Sequence, residues 1–381
     1  MAVGRIGVLT GGGDCPGLNA VIRAVVKTLM HEHGTKVVGF LDGYAGLVED
    51  RAMDLDWESV SNILVQGGTI LGTSNIANPF KWADKVPQVH SPGAKRLAPG
   101  EHTGGNQQIV ISDRSADAMR VFRDRRLDGL VVIGGDGSMA IAGGLVEMGM
   151  PIIGVPKTID NDVRGTEMTF GFQTAVGVAS DALDRLHTTA SAHHRVMVAE
   201  VMGRYAGWIA LHAGVASGAD AILIPEIPFR WDALLNVCRE RAGRGRRFSI
   251  VCVAEGARPE GGEMIVERRV EGSPDPVRLG GVGRLVAGTI EQQPGIESRA
   301  TVLGYVQRGG TPCPFDRVFA TSLGYKAAEL TGEGRWGRMA SWQAGRLADV
   351  PISEAAGGSR SVPPDEPLLA AAEAVGTSFG E

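Results

Sequence analysis

Residues 150–162 read Met-Pro-Ile-Ile-Gly-Val-Pro-Lys-Thr-Ile-Asp-Asn-Asp and join an apolar run to two carboxylates. The run over 150–155 predicts a buried strand, so Asp160 and Asp162 follow its carboxyl end. Ligands bind at that end of the strands in open α/β sheets. Carboxylates there suit proton abstraction from a hydroxyl or metal coordination, and Lys157 adds a cation for a phosphate. The alternative is a loop of Asx turns without chemistry.

Short apolar runs alternate with helical stretches along most of the chain. Strands are predicted over 5–10, 36–40, 127–134, 196–201, 221–225 and 248–254, with a helix after each glycine-rich strand end. This rhythm favours parallel sheets wrapped by helices, and 381 residues suggest two domains. Residues 83–107 and 256–276, poor in apolar residues, are expected to be surface excursions, and the tail carries one short helical piece around 368–375.

The bulk composition excludes several classes of function. A net charge of −5 does not indicate the basic surface that binds nucleic acid or an anionic membrane. No apolar stretch approaches the roughly 18–20 residues that span a bilayer. The four cysteines show no metal-type spacing, which favours a reducing, cytoplasmic compartment.

Two glycine-rich segments follow predicted strands. Thr-Gly-Gly-Gly-Asp-Cys-Pro-Gly at 10–17 opens a helix, and Gly-Gly-Asp-Gly-Ser at 134–138 repeats the arrangement. Backbone N–H groups and a helix N-terminus make such a loop a cradle for phosphate. Asp136 is a candidate ligand for the Mg²⁺ that accompanies a polyphosphate. The alternative is a pair of tight turns that need glycine only for packing.

Four arginines lie near predicted strand ends: Arg195, Arg204, Arg299 and Arg308. The planar guanidinium suits phosphate oxygens. Any one of them alone is better explained by solvated surface charge, but together they favour phosphate binding. His193 and His194 are interpreted as a helix end, because no carboxylate lies at metal-ligand spacing from them.

Taken together, these segments resemble the 6-phosphofructokinase family. The motifs occur in family order: Gly-Asp-x-Pro-Gly-x-Asn at 13–19, Asp-Gly-Tyr at 42–44, Gly-Gly-Thr-Ile-Leu-Gly-Thr at 67–73, Gly-Gly-Asp-Gly at 134–137, residues 156–162, Glu-Val-Met-Gly-Arg at 200–204, Pro-Glu at 225–226, Arg-Ala-Thr-Val-Leu-Gly at 299–304 and Gln-Arg-Gly-Gly at 307–310. The resemblance implies the phosphofructokinase fold, with two Rossmann-like three-layer α/β/α domains. It assigns 1–171 plus 307–357 to the phosphate donor and 172–306 plus 358–381 to the sugar phosphate.

The resemblance also implies a reaction: Mg²⁺-dependent phosphoryl transfer to the 1-hydroxyl of fructose 6-phosphate, a step of glycolysis. It makes Asp160 the base and Thr158 a support for the transferred group. It implies that Asp162 assists through the metal and the local field, and that Arg204 stabilises the transition state. Implied donor contacts are Gly13, Tyr44, Asn75, Gly135, Asp136, Gly137, Ser138 and Lys157, with Asp136 nearest the metal. Implied acceptor contacts are Thr158, Asp160, Arg195, Met202, Gly203, Arg204, Glu226, Arg299, Tyr305 and Arg308.

In the family, residues like Arg195 and Arg299 reach the substrate of a neighbouring subunit. The resemblance therefore implies a homodimer or homotetramer with shared active sites.

The sequence departs from the family at positions that bear on the substrates. Gly137 is similar to the ATP-dependent branch, whereas pyrophosphate-dependent members usually carry Asp there and share Lys157. We favour ATP. A carboxylate at position 137 would exclude a nucleotide by size and by charge, and this chain has glycine there, whereas a flexible Lys157 can coexist with bound ATP. Asn75 stands where many members place an arginine, and Lys157 is our candidate for the missing cation. Tyr305 replaces a histidine. The alternative is a pyrophosphate-dependent enzyme, with sedoheptulose 7-phosphate as a further acceptor.

Other classes of protein fit the sequence less well. An NAD or lipid kinase would share Gly-Gly-Asp-Gly but lack the segment 156–162. A dinucleotide-dependent oxidoreductase would need a clean Rossmann fingerprint. A non-enzymatic sugar-phosphate-binding subunit would be expected to have lost Asp160, which is present.

Overall fold

The computed structural model describes residues 3–87, 107–246, 248–270, 276–293 and 295–381. The strands are β1 (Arg5–Thr10), β2 (Lys36–Phe40), β3 (Ala52–Leu55), β4 (Trp82–Pro87), β5 (Gln107–Ser112), β6 (Gly129–Gly134), β7 (Ile152–Thr158), β8 (Phe170–Gly171), β9 (Val196–Val201), β10 (Ala221–Leu223), β11 (Ser249–Ala254), β12 (Val266–Arg269), β13 (Val277–Leu279), β14 (Ser298–Val302), β15 (Arg338–Gln343) and β16 (Arg346–Pro351). The helices are α1 (Leu18–His33), α2 (Tyr44–Glu49), α3 (Ser115–Asp124), α4 (Asp136–Glu147), α5 (Phe172–His193), α6 (Trp208–Ala216), α7 (Trp231–Gly243), α8 (Val282–Gln292), α9 (Pro314–Gly332), α10 (Ile352–Ala355) and α11 (Pro367–Ala374).

The first sheet has eight strands in the order β16-β15-β7-β6-β1-β2-β3, with β8 beside β7. The central strands β2, β1, β6, β7 and β15 pair in parallel, and antiparallel pairing occurs only at the two edges. The carboxyl ends of β1, β6 and β7 therefore lie side by side at the same end of the strands. The glycine-rich segments and the acidic segment follow these three strands, so the sheet gathers the three predicted motifs.

The second sheet has four parallel strands in the order β10-β11-β9-β14. Alternate residues of each central strand pack on opposite faces. On β9, Met197 and Ala199 join one buried cluster while Val196 and Val198 join another, as a strand covered on both faces requires. The first sheet shows the same division, with Val8 on one face and Leu9 on the other.

One buried cluster extends from the first sheet to the second, so the two sheets share apolar core across helices α1, α5, α6 and α9. The predicted α/β class with helices on both sheet faces is thereby confirmed. Helix α5 starts directly after β8 and leads the chain from the first sheet to the second. The domain boundaries given above remain a prediction. Among the helices of the described residues, none is long and apolar enough to cross a membrane.

The surface excursion predicted over 83–107 begins and ends in paired strands, which the prediction did not include. β4 and β5 pair antiparallel, from Trp82 with Ser112 to Pro87 with Gln107. These two strands were not predicted, because the polar residues of the segment gave no strand pattern and because β5 lies far along the chain from its partner β4. The other residues of this excursion, 88–106, lie outside the described residues. The excursion over 256–276 likewise contains a strand, β12, which pairs antiparallel with β13.

Candidate active site

A cavity of about 580 Å³ lies between the carboxyl ends of the two sheets. It is lined by segments that follow β1, β6 and β7 of the first sheet and β9, β11 and β14 of the second. Most of the predicted site residues lie on its wall: Gly13, Tyr44, Asn75, Gly135, Asp136, Gly137, Ser138, Lys157, Thr158, Asp160, Met202, Arg204, Tyr305 and Arg308. The structure thus brings together donor and acceptor candidates predicted from distant parts of the chain.

The first glycine-rich segment is anchored by its backbone. The Gly12 N–H donates to the carbonyl of Ser74 at 3.1 Å, and the Thr73 hydroxyl donates to the carbonyl of Gly12 at 2.6 Å. A Cβ on Gly11 would come within 2.7 Å of the Ser138 hydroxyl oxygen, so a larger residue would have to displace the Ser138 side chain where the two glycine-rich segments meet. The segment therefore has a fixed shape beside Asn75.

The second glycine-rich segment differs from the predicted loop because it is helical from Asp136 onwards. Gly135 caps α4, and Asp136, Gly137 and Ser138 form its first turn on the cavity wall. The buried Tyr44 hydroxyl donates to the Ser138 carbonyl at 2.7 Å and holds this turn. The positive end of a helix and its unpaired N–H groups favour a phosphate at such a position.

The acidic segment is held by hydrogen bonds after β7. The Asp160 N–H donates to the Thr158 hydroxyl at 3.0 Å, and the Thr169 N–H donates to Oδ1 of Asn161 at 3.0 Å. Asn161 has φ 54°, a left-handed conformation that asparagine tolerates better than most residues. These contacts fix the turn after β7, in which Asp160 lines the cavity and Asp162 does not.

The Asp160 side chain is buried, and one of its carboxylate oxygens accepts no hydrogen bond from the described residues. The residue is 6% exposed, and its buried Oδ1 has no hydrogen-bond partner in the described part of the chain. Its Oδ2 lies 4.0 Å from Nη2 of Arg308. A buried carboxylate oxygen that has no protein partner is available to accept a hydrogen bond from a group that enters the cavity.

Asp162 is buried close to two other carboxylates, those of Asp160 and Asp136. Burial, followed by the charges of Asp160 and Asp136, raises the pKa of Asp162 to about 7, and Arg204 opposes the rise. Nη1 of Arg204 lies 4.0 Å from Oδ1 of Asp136. The carboxylates of Asp136, Asp160 and Asp162 and the guanidinium of Arg204 therefore interact with one another electrostatically.

Lys157 lies on the cavity wall beside the first glycine-rich segment. Its side chain is almost fully buried, and Nζ donates to the carbonyl of Gly13 at 2.5 Å. Burial lowers the pKa of this ammonium, although the group remains beside the carboxylates of Asp160 and Asp14. The lysine thus reaches the first glycine-rich segment, where we expected it to replace a cation missing at Asn75.

Five predicted site residues do not line this cavity: Asp162, Arg195, Gly203, Glu226 and Arg299. Glu226 accepts backbone hydrogen bonds from Gly207 at 3.0 Å and Val362 at 2.8 Å, so it ties the C-terminal segment to the second sheet. Gly203 has φ 145°, and a Cβ there would lie 2.5 Å from the Ala206 carbonyl.

The two remaining arginines bind carboxylates. Arg195 pairs with Glu297 at 2.9 Å, and Arg299 pairs with Glu297 at 2.8 Å and Glu291 at 3.1 Å.

Glu255 is a site residue that the sequence reasoning missed. It follows β11, lines the cavity, and accepts a hydrogen bond from the Arg204 N–H at 2.9 Å. Burial first, and then the charge of Asp160, raise its pKa to about 7. A usable signal existed, because Glu255 follows a predicted buried strand just as the acidic segment does.

Replacing Glu255 with Gln is expected to stabilise the protein increasingly as the pH rises. The folded pKa of about 7 lies above the ordinary value of 4.5, so the folded wild type retains a proton that the unfolded chain releases between these values. Wild-type stability therefore falls across this interval, by about 1–3 kcal/mol for this group, and the loss is complete above the folded pKa. Urea unfolding of both proteins from about pH 4.5 to about pH 8 measures the difference. Glu373→Gln, at an exposed position of α11, is the control; a pH-independent difference for Glu255→Gln would contradict the assignment.

Comparisons with known proteins agree with this geometry. The family model described as phosphofructokinase matches residues 5–331. The chain is 44% identical to ATP-dependent 6-phosphofructokinase 2 of Clostridium perfringens over 99% of this chain and 98% of that protein. It is also 44% identical to ATP-dependent 6-phosphofructokinase of Spirochaeta thermophila, over 100% of this chain and 98% of that protein. The crystal structure of Pichia pastoris phosphofructokinase in the T-state aligns with a TM-score of 0.74 and 30% identity, over 99% of this chain and 37% of that longer chain. The chain belongs to the phosphofructokinase family.

Proposed function

We propose that the protein is an ATP-dependent 6-phosphofructokinase, which transfers the terminal phosphoryl group of ATP to the 1-hydroxyl of fructose 6-phosphate. The observation that carries this proposal is the unpartnered Oδ1 of Asp160, buried on the wall of the cavity that both glycine-rich segments also line. A base at that position can accept a hydroxyl proton while the donor's phosphates lie against the N-terminus of α4. The names of the two relatives at 44% identity support the same activity.

In this mechanism the protein supplies positioning and charge rather than covalent chemistry. Asp160 takes the proton of the 1-hydroxyl as that oxygen attacks the terminal phosphorus. Thr158, whose hydroxyl already accepts the Asp160 N–H, lies beside the transferred group. Arg204 and Arg308, each 4.0 Å from a site carboxylate, offset the negative charge of the transition state.

Mg²⁺ is the proposed cofactor, and Asp136 is the residue that would hold it together with the donor's phosphates. The described residues contain no group of three side chains able to ligate a metal. This agrees with the usual Mg²⁺ site, which takes one or two carboxylates and completes its shell with substrate oxygens and water. The neighbouring negative charges of Asp136, Asp160 and Asp162 favour the binding of a divalent cation at this place. When bound, the ion would neutralise phosphate charge.

ATP is the proposed donor, with pyrophosphate as the less favoured alternative. A Cβ added to Gly137 would meet no atom within 4 Å, which leaves open space at the first turn of α4 for a nucleotide. Lys157 is the marker that pyrophosphate-dependent members share, and it is bound to the Gly13 carbonyl within the same wall.

A homodimer or homotetramer is proposed from the resemblance. Arg195 and Arg299 both pair with Glu297 outside this cavity, and neighbouring strand positions hold them together. We propose that these arginines contact the acceptor of a neighbouring subunit. The cytoplasm is the proposed location, in keeping with four cysteines that form no disulfide.

The test is an assay of the purified protein with fructose 6-phosphate and Mg²⁺, using ATP and pyrophosphate in separate reactions. We expect fructose 1,6-bisphosphate with ATP and a much lower rate with pyrophosphate. Sedoheptulose 7-phosphate, offered as a second acceptor, tests how far Tyr305 relaxes the choice of sugar. Absence of the bisphosphate with both donors would refute the proposed function, and a higher rate with pyrophosphate would reverse the donor.

A further inference from the structure

A short piece of the C-terminal segment, residues 359–362, runs from the end of the acidic segment to the second sheet. At one end, Ser359 forms an antiparallel bridge with Val163, which directly follows the acidic segment. At the other end, the Val362 N–H donates to Oε1 of Glu226, which follows β10, at 2.8 Å. We call residues 359–362 the C-terminal strap. The strap therefore connects the neighbourhood of Asp160 to the sheet that carries the acceptor candidates.

Arg360, inside the strap, makes three hydrogen bonds to backbone carbonyls in and beside the acidic segment. Its N–H donates to the carbonyl of Asp162 at 2.6 Å. Its Nη2 donates to the carbonyl of Asn161 at 2.8 Å and to the carbonyl of Glu167 at 2.9 Å. Buried carbonyl groups need such partners. Arg360 does not line the cavity, so it acts on the backbone of the acidic segment and not on a ligand.

The same arginine also contacts Trp208, the first residue of α6. Its guanidinium carbon lies 4.3 Å from the centroid of the Trp208 ring, within the range of a cation–π interaction. In return, Nε1 of Trp208 donates to the Arg360 carbonyl at 3.1 Å. Helix α6 packs against β10 and β11, and it begins just after the loop that carries Met202 and Arg204. Arg360 therefore joins the segment that carries Asp160 to the end of the acceptor loop.

The acidic segment needs this support because its conformation is unfavourable by itself. Asn161 has a left-handed backbone, which persists only where the surrounding structure determines it. Asp160 and Asp162 are both buried, and the charge of one raises the pKa of the other. Arg360 brings an opposite charge to this place. Burial lowers the pKa of its guanidinium, and the charge of Asp162 is the largest influence that opposes this lowering.

We infer that Arg360 is a positioning residue for phosphoryl transfer, which holds the acidic segment against the first turn of α6 and so keeps Asp160 aligned with the acceptor. This inference rests on the proposed function and deepens it. A displacement of about 1 Å between reacting groups lowers a rate by up to about 10²-fold. Because Arg360 contacts neither substrate, its loss should lower kcat while the affinity for both substrates is retained.

The test compares Arg360→Ala and Arg360→Lys with Arg164→Ala as a matched control. Arg164 is exposed, does not line the cavity, and donates from Nε to the Ser359 carbonyl at 3.2 Å. The control therefore removes a contact to the same strap without removing one to the carbonyls of the acidic segment. Urea unfolding first identifies a temperature at which each variant is fully folded. Steady-state kinetics then gives kcat and KM for each substrate, and titration calorimetry gives the binding of fructose 6-phosphate without donor.

We expect Arg360→Ala to lower kcat by about 10–100-fold, with KM for both substrates and the Kd of fructose 6-phosphate changed by less than about threefold. Arg360→Lys should recover part of kcat, because it keeps the charge near Asp162 and one donor for the carbonyls, but not the planar fork. Arg164→Ala should stay within about twofold of the wild-type kcat. If Arg360→Ala does not fold, Arg360→Lys decides the question, with an intermediate kcat at unchanged KM as the expected result.

A wild-type kcat in folded Arg360 variants, with lower stability alone, would make Arg360 a purely structural residue and would overturn the inference. Equal losses of kcat in Arg360→Ala and Arg164→Ala would assign the effect to the strap in general and would overturn it too. A raised KM for fructose 6-phosphate at normal kcat would assign Arg360 to acceptor binding, with the same consequence. Wild-type protein that makes no fructose 1,6-bisphosphate refutes the proposed function, whereas an active wild type with insensitive Arg360 variants refutes only this inference.

Discussion

Asp160→Asn is expected to lower kcat for phosphorylation of fructose 6-phosphate by about 10²–10⁴-fold, with a much smaller change in KM for either substrate. The amide retains the shape of the side chain and the place of its atoms on the cavity wall, but it accepts a proton far less readily than a carboxylate. The loss therefore falls on the chemical step. Initial rates across a range of each substrate separate kcat from KM.

The structure also predicts the effect of this variant on stability. Asp160 is buried with an unpartnered Oδ1, so removing its charge should leave the free energy of unfolding unchanged or raise it by about 1–2 kcal/mol. Loss of activity together with loss of fold would instead indicate a structural role. Asp124→Asn, at a largely exposed position of α3, controls for the substitution itself. A kcat for Asp160→Asn within tenfold of wild type would remove Asp160 from the role of base.

The arrangement of the sheets was accessible from the sequence where strands are buried on both faces. β1, β2 and β9 occupy the predicted ranges 5–10, 36–40 and 196–201, because continuous apolar runs bounded by glycine or charge identify such strands. The same signal located Asp160, since a carboxylate after a buried strand must lie at the sheet edge.

The sequence was least informative where strands are exposed or where contacts are tertiary. β12 is exposed throughout and contains two arginines in four residues, so no periodicity distinguishes it from a polar loop. β4 and β5 pair across a long intervening segment. Glu226 was assigned to the sugar phosphate by resemblance, whereas its contacts are backbone N–H groups of Gly207 and Val362. Such a contact depends on how the C-terminal segment packs, which local patterns do not encode.

Gly137→Asp is expected to reduce kcat/KM for ATP by about 10²–10³-fold. A like charge placed against a phosphate group costs several kcal/mol, and the new carboxylate would stand beside Asp136 on the donor wall. The fold should tolerate the change, because a Cβ at Gly137 meets no atom within 4 Å and an acidic residue is favourable in the first turn of a helix. The effect therefore reports donor binding rather than unfolding.

Gly137→Asn separates charge from size, since it has nearly the same volume without the negative charge. If electrostatic repulsion dominates, the Asn variant should retain most of its activity with ATP, while the Asp variant should not. Measuring kcat/KM with pyrophosphate adds a second comparison, because that donor has no α-phosphate to meet the new carboxylate and should be affected less. Equal losses for Asn and Asp would show that steric exclusion alone selects the donor. Wild-type kinetics with ATP in both variants would place the nucleotide away from the first turn of α4, and the choice of donor would then have to depend on Lys157 and the first glycine-rich segment.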